Sequence, residues 1–348
     1  MSLTPDDRGV ASVVAATDAW FLRHGLSYFV PEQRRGAREG LRPRRAVPLL
    51  LVVVLVAAAA GGALAWSGDQ ATVAPATVVT LAVLAGLWYA LTTLNARPIV
   101  HWALARTFGS LRTLLPMMTR ALPLLLLFVT FLFINGEAWQ MAADLSPGTL
   151  WLVALLFGLM AGAFLLVRLP EEVDRTDDAV DDDFLLRACA GTPLEQVCRD
   201  LVDDPGADPA SYAEVRGFER WNLVLVLVIV QAVQVLLLVL SVLVFFLVFG
   251  GLVMDTELQS GWTGIPEDDI RSLPYLSQVS VPLFQVSLFL AAFSALYLTV
   301  STVTDETYRA QFFGSVVREL ERAVGVRAVY LCLRDRQSPE PSGPSATP

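Results

Sequence analysis

The sequence predicts an all-α, polytopic membrane helix bundle of about six transmembrane helices, with amphipathic helices on its cytoplasmic side. Of the 348 residues, 55% are hydrophobic and only 17% are charged, whereas about 25% of the residues of an average soluble domain are charged. The mean hydropathy is +0.56. The apolar residues are concentrated in blocks of roughly 20 residues, which is the length that a helix needs to cross a bilayer.

Six apolar blocks are candidate transmembrane helices. They cover residues 47–66, 76–94, 121–142, 149–169, 222–249 and 276–301. The fifth block continues to about Val253 and would be about 46 Å long as a helix. We therefore expect it to tilt or to protrude from the membrane, with Gly250-Gly251 as its end. Pro123 and Pro282 are expected to bend the third and sixth helices.

The placement of arginine predicts the orientation. All basic residues are arginines, and six of them lie between residues 34 and 45. Others occur in the 95–120 and 170–221 loops and after the last block, whereas the loop of residues 254–275 has only Arg271. Because cytoplasmic loops carry the excess of positive charge, both termini are expected in the cytoplasm. The protein is then a multi-pass membrane protein with an even number of transmembrane helices.

The N-terminal region, residues 1–46, is predicted to hold a helix over residues 4–24 and the arginine-rich segment. Thr4 caps this helix and Gly25 ends it. Its apolar stripe predicts either a helix on the membrane surface or one packed on other cytoplasmic segments. Within the region of the first four transmembrane helices, 47–169, the connector 95–120 has a second stripe and is predicted to lie in the inner interface. That stripe consists of Val100, Leu104, Phe108, Leu111 and Leu115.

The 170–221 loop contains fifteen Asp and Glu residues against five Arg. Its first part lacks the glycine and the terminal glutamate of a calcium-binding loop, so we interpret it as a solvated, partly disordered run. Thr192 and Ser211 each begin a capping-box pattern, and the second helix is expected to run into the transmembrane region 222–301. Cys189 and Cys198 are expected to stay reduced in the cytoplasm.

The C-terminal region, residues 302–336, is predicted to be an amphipathic cytoplasmic helix that Thr304 caps and Gly325 ends. The periodicity of "VRAVYLCLR" does not decide between a strand and a further helical turn. Residues 337–348 have the composition of a disordered tail.

Polar residues within the apolar blocks are the candidate functional residues, either for a transport path or for hydrogen bonds that hold the bundle together. They are Asn135, Glu137, Gln140, Gln231, Gln234 and Gln285. The depth of Glu137 places it in the outermost turn of the third helix, beside Trp139 in an aromatic belt. Asn135 lies deeper and needs a partner. Gly61, Gly158 and Gly162 are predicted to allow close helix packing.

The sequence gives no sign of an enzyme. It contains no Walker, HExxH or GxSxG motif, and its three cysteines and two histidines have no spacing typical of a metal site or redox pair. We therefore expect no cofactor, no metal and no nucleic-acid partner. The expected partners are the lipid bilayer and either a cytoplasmic protein or a second copy of the chain.

Three stretches carry a resemblance to known proteins: "WFLRHGLSYFVPE" (20–32), "FLFINGEAWQMAA" (131–143) and "VTDETYRAQFF" (303–313). They resemble uncharacterised multi-pass membrane proteins of actinobacteria. The resemblance implies a bacterial plasma-membrane protein and transfers no activity to any residue.

Two functions remain as hypotheses. The first is a non-enzymatic accessory, assembly or signalling protein, in which the N-terminal helix, the 170–221 loop and the C-terminal helix form a platform for a partner. The alternative is a transporter or channel that uses the polar residues of the third, fifth and sixth helices. Transport predicts that four of these residues converge on one water-accessible cavity: Glu137, Gln231, Gln234 and Gln285.

Overall fold

The computed structural model describes residues 5–68, 70–109, 127, 129–177, 179–274, 276–304 and 306–337. It confirms the all-α class. The helices of these residues are α1 (Pro5–Arg23), α2 (Pro31–Gly40), α3 (Pro43–Gly68), α4 (Val73–Thr92), α5 (Arg97–Gly109), α6 (Gly136–Asp144), α7 (Pro147–Asp177), α8 (Asp182–Cys189), α9 (Glu195–Val202), α10 (Gly217–Val253), α11 (Thr256–Thr263), α12 (Val281–Thr304) and α13 (Glu306–Gln337). A short hairpin pairs β1 (Ser272–Leu273) with β2 (Leu276–Ser280) in antiparallel fashion.

Five of the described helices are long and apolar enough to cross a membrane: α3, α4, α7, α10 and α12. The apolar stretches of α10 and α12 are 50% and 56% buried, whereas those of α3 and α4 are 11% and 6% buried. The two long helices α10 and α12 are therefore the centre of the bundle, with α7 against both. The α3–α4 hairpin lies at the edge.

The third apolar block, 121–142, is not one continuous helix. Residues 129–133 are helical, the helix stops at Ile134, and α6 starts anew at Gly136. Asn135 causes the break because it is extended and its Oδ1 accepts a hydrogen bond from Glu137 N at 2.8 Å, as an N-cap residue does. Most of the block before residue 127, including Pro123, lies outside the described residues.

Helix α5, which precedes the third block, and Phe133, near the end of that block, lie at opposite ends of α10. Trp102 of α5 lines a pocket with Leu223 and Val226 near the start of α10. Phe133 stacks on Phe246 near its other end, with ring centroids 4.6 Å apart. Twenty helical residues separate these two levels, a rise of about 30 Å. A sixth crossing between α5 and α6 remains a prediction.

The ends of the fifth and sixth blocks differ from the prediction. Helix α10 continues through Gly250 and ends at Val253. Gly250 serves close packing within the helix and does not end it, because a Cβ there would overlap Leu283 and lie 3.0 Å from Phe133. Residues 276–280 form strand β2, and α12 begins only at Val281. Pro282 therefore occupies the first turn of the helix, where proline fits without a bend.

At one end of the bundle the chain builds an extramembrane domain from α1, α2, residues 179–216 and α13. Helix α1 ends as predicted at Gly25, which has φ +71°. Leu26 N donates to Phe21 O at 2.9 Å, the reversal typical of a glycine-ended helix. Phe21 and Thr17 are fully buried. Of the two interpretations of this helix, packing on other segments is the one that the structure shows.

The acidic loop contains two helices and a 3-10 turn, although its composition predicted a partly disordered run. Asp181 caps α8 by accepting a hydrogen bond from Phe184 N at 2.7 Å. Thr192 accepts from Leu194 N just before α9, close to the predicted start. The second predicted start is wrong: Ser211 lies in a 3-10 turn capped by Asp208, and α10 begins six residues later. The carboxylates of Asp181 and Asp208 accept hydrogen bonds from nearby backbone N–H groups. Because acidic residues can order local turns in this way, the acidic composition wrongly predicted a partly disordered loop.

Two further details correct the sequence analysis. In α5 the fully buried residues are Ile99 and Ala103, one position before the predicted stripe, and Phe108 is exposed. In α13 the helix runs through Gly325 to Gln337 without a stop, so "VRAVYLCLR" is helical. A Cβ at Gly325 would overlap the Cβ of Ala188. The glycine thus serves close contact between α13 and α8.

We expect Gly325→Ala to destabilise the extramembrane domain, because the added methyl group overlaps Ala188. Overpacking of this kind costs about 1–3 kcal/mol. The thermal unfolding of the purified protein measures it, and Ala188→Gly in the same chain should restore the melting temperature. Gly158→Ala is the matched control, since nothing lies within 4 Å of a Cβ there. An equal effect of both alanines would contradict the close contact.

Candidate functional site at the arginine-rich end

A buried carboxylate connects the extramembrane domain to the bundle. Glu219, in the first turn of α10, is only 4% exposed. Arg327 of α13 donates to its Oε2 at 2.6 Å, and Arg34 of α2 donates to its Oε1 at 2.7 Å. Arg327 also donates to the carbonyls of Tyr212 and Glu214 at 2.8 and 3.1 Å. The carboxylate and the Arg327 guanidinium thus compensate the loss of water that their burial entails.

A second polar residue of α10 holds the turn that follows α1. Asn222 is fully buried. Its Oδ1 accepts from Tyr28 N at 2.8 Å, and its Nδ2 donates to Gly25 O at 2.9 Å. The Tyr28 hydroxyl donates to Leu94 O at 2.6 Å, just after α4. One amide side chain thereby fixes the N-terminal segment to the start of α10.

The C-terminal helix is tied to both other parts of the domain. The Tyr330 hydroxyl donates to Asp18 Oδ1 of α1 at 2.7 Å. Burial and this hydrogen bond raise the pKa of Tyr330 to about 12, so its hydroxyl remains a donor at neutral pH. Arg336 pairs with Asp204 at 2.8 Å on the exposed surface. The ends of the described chain therefore lie side by side at this end of the bundle.

A groove of about 400 Å³ opens between α8 and α13 on the surface of the domain. Charged side chains of both signs line it: Arg187, Arg318, Arg322, Glu319 and Glu321. Phe184 and Ala188 form its apolar floor. A groove with this lining suits a polypeptide segment that carries its own charges.

The outer polar residues of the third block lie on or beside α6. Glu137 and Gln140 are exposed, and the side chain of Asn135 bonds to its own helix. Trp139 does not lie in an interfacial belt, because it is fully buried, and its Nε1 donates to Phe133 O at 2.7 Å. This indole satisfies one carbonyl that the helix break leaves free.

The three glutamines occupy different levels of the bundle. Gln285 Nε2 donates to Leu145 O at 2.9 Å, at the end opposite the extramembrane domain. Gln231 and Gln234 are buried on α10, and Gln231 Nε2 and Gln234 Oε1 have no hydrogen-bond partner in the part of the chain described. Because Gly250 packs on Leu283, Gln231 lies roughly 25 Å from Gln285 along the bundle. The structure does not bring these residues together.

The small-residue positions have different environments. A Cβ at Gly61 would lie 2.8 Å from Ala74 O, so this glycine allows close contact of α3 and α4. Gly158 and Gly162 have nothing within 4 Å of a Cβ. Their face of α7 is therefore not used for packing within the described chain.

Two of the three cysteines lie against each other, which their spacing in the sequence did not predict. Cys189 and Cys198 are buried free thiols in contact, and their hydrogen bond, with burial, raises the pKa of Cys189. Among the described residues, no group of three His, Cys, Asp or Glu side chains is placed to hold a metal ion.

Sequence reasoning missed Glu219 and Arg327, the residues at the centre of this site. Both have a surface-like sequence context, and the burial of each depends on a partner 108 residues away. The break at residue 135 did have a signal, since Asn-Gly is a common turn and cap dipeptide. The apolar residues on both sides concealed it.

Comparison with protein families, with curated proteins and with solved structures gave no match. The resemblance to actinobacterial membrane proteins therefore remains a prediction. Any function has to be argued from the residues of this chain.

We expect Arg327→Met to destabilise the protein by about 3 kcal/mol or more, because Glu219 keeps only the half-exposed Arg34 as a partner. Denaturant unfolding followed by tryptophan fluorescence measures it. Arg336→Met is the control, since that pair with Asp204 is exposed and solvent screens it, so the free energy of unfolding should hardly change. Adding Glu219→Gln to Arg327→Met should recover part of the loss. A double variant whose loss equals the sum of the single losses would contradict the coupling.

Proposed function

We propose that this chain is an integral protein of a bacterial plasma membrane with a non-enzymatic accessory, assembly or signalling role. Its extramembrane domain is the surface that a cytoplasmic partner protein binds. The observation that carries the proposal is the joining of three distant segments into one domain, which Glu219 and Asn222 fix to the start of α10. A loop that only connects helices needs no such architecture.

The polarity of the two ends supports a cytoplasmic position for this domain. The arginine-rich segments all adjoin the end of the bundle where α10 starts. At the opposite end, Arg271 is the one basic residue of the described connections. Charge asymmetry of this kind orients membrane proteins with the basic end inside.

The groove between α8 and α13 is the part of the domain best suited to the partner. Its mixed charges favour specificity through complementary pairs, and its apolar floor supplies area that a bound segment can bury. The bundle offers less support for transport, since Glu137 is exposed, Gln285 bonds to a loop carbonyl, and Gln231 lies at another level.

The orientation is tested by labelling single cysteines in intact cells. We expect a membrane-impermeant maleimide to modify Asp268→Cys and to spare Ser211→Cys until the cells are opened. Both positions are exposed, and the three native cysteines are buried. Labelling of Ser211→Cys alone in intact cells would reverse the proposed orientation.

The partner surface is tested by photo-crosslinking in cells. A benzoylphenylalanine in place of Arg187 or Arg318 should give one discrete crosslinked product, whereas the same probe at Asp203, which is exposed but does not line the groove, should not. With the probe at Arg318, the change Arg187→Glu should abolish the product because it reverses a charge of the groove. Identical products from all three positions, or none, would contradict a partner in the groove. Solute flux in proteoliposomes that requires Gln231 and Gln234 would favour the transport alternative.

A further inference from the structure

A second groove, of about 590 Å³, lies where the end of α1 meets the start of α5. Its lining residues are Leu22, Arg23, Arg97, Pro98, His101, Trp102 and Ala105. It is separate from the groove between α8 and α13, and no residue lines both. No carboxylate belongs to its lining.

The cationic groups of this groove have no anionic partner within the described chain. Arg23 donates only to the backbone carbonyl of Ala19, at 3.3 Å. Arg97 and His101 are exposed, and no ion pair or side-chain hydrogen bond of theirs is found among the described residues. Other arginines at this end of the bundle do pair with a carboxylate, among them Arg34, Arg220, Arg327 and Arg336. The groove therefore presents guanidinium groups that no carboxylate of the described chain compensates.

The groove is also held in a fixed shape. Gly25, in its left-handed conformation, lets the turn after α1 pack closely on Trp102, because a Cβ at this position would lie 3.0 Å from the Trp102 Cβ. Arg23 lies two residues before this contact. Arg97 is the first residue of α5, whose partial positive charge at the N-terminus adds to that of the guanidinium, and His101 follows one turn later. The three groups are positioned by the fold.

The level of the groove corresponds to the membrane surface. The membrane-spanning stretch of α4 ends at Thr92, five residues before Arg97. Trp102 is a half-buried aromatic residue, the kind that favours the interface. Leu22, Pro98 and Ala105 expose apolar surface around the cations. Behind Trp102 lies a smaller pocket walled by Trp20, Leu26 and Leu223.

We propose that this groove binds the phosphate of an anionic phospholipid, with Arg23, Arg97 and His101 as its donors. Guanidinium groups bind phosphate oxygens in pairs, and imidazole supplies a further N–H. Basic pockets at the cytoplasmic membrane surface recognise anionic headgroups in this way. A soluble phosphate would use the charges alone, whereas a lipid also covers the apolar residues beside them. The lipid then joins α1 to α5 at the edge of the extramembrane domain.

The test is a titration of the purified full-length protein with phosphatidylglycerol, in which native mass spectrometry measures the dissociation constant of the first bound lipid. We expect saturable binding of one lipid, about fivefold weaker in Arg23→Gln or Arg97→Gln and about 30-fold weaker in the double variant. The matched control is Arg42→Gln/Arg44→Gln, which removes two exposed charges near the membrane but outside the groove. This control should bind as the unmodified protein does.

Three results would overturn the proposal. Equal weakening in the control and in the groove variant would show attraction by surface charge in general. Equal binding of phosphatidylcholine would show that the anionic charge is not recognised. Complete displacement of the lipid by millimolar inorganic phosphate would assign the groove to a soluble anion. Melting temperatures of all variants establish that they are folded, and the single substitutions give the same test where the double variant does not fold.

Discussion

The ion pairs of Glu219 are the constraint on which the rest of the structure depends. A carboxylate 4% exposed at the start of a membrane helix is stable only where its charge is compensated. Arg327 and Arg34 provide that compensation from two segments almost 300 residues apart in sequence. Arg327 also donates to two carbonyls of the loop before α10, so the same guanidinium connects that loop to Glu219. The N-terminal segment, the acidic loop and the C-terminal helix consequently assemble around one side chain.

The length of α10 extends this constraint through the bundle. The helix has 37 residues and is about 55 Å long. Its first turns lie in the extramembrane domain, and Phe246 and Gly250 pack on Phe133 and α12 near the other end. The same helix thus makes buried contacts at both ends of the bundle, and this continuity is the physical basis on which we propose a signalling or assembly role.

Hydropathy predicted the five described helices that are long and apolar enough to cross a membrane, because the requirement for apolar residues is local to each segment. Residues whose role depends on a distant partner were predicted poorly. Gly250 and Gly325 were predicted to end helices. Instead, Gly250 allows close approach to Leu283, and Gly325 allows close approach to Ala188. The sequence around Glu219 is typical of a charge exposed to solvent. Composition records what a residue prefers on average, and it does not record which side chain the fold brings within 3 Å.

The distribution of polar groups decides where function is to be sought. Within the bundle, Ser294 and Thr299 donate to carbonyls of their own helix, and Gln285 donates to a loop. Such bonds satisfy these polar atoms locally, whereas Gln231 Nε2 and Gln234 Oε1 have no hydrogen-bond partner among the described residues. At the arginine-rich end, by contrast, Arg23, Arg97 and His101 line one groove while Arg187 and Arg318 line another. Donors that remain exposed on a fixed framework are available to ligands, so these two grooves are the sites at which we propose that ligands bind.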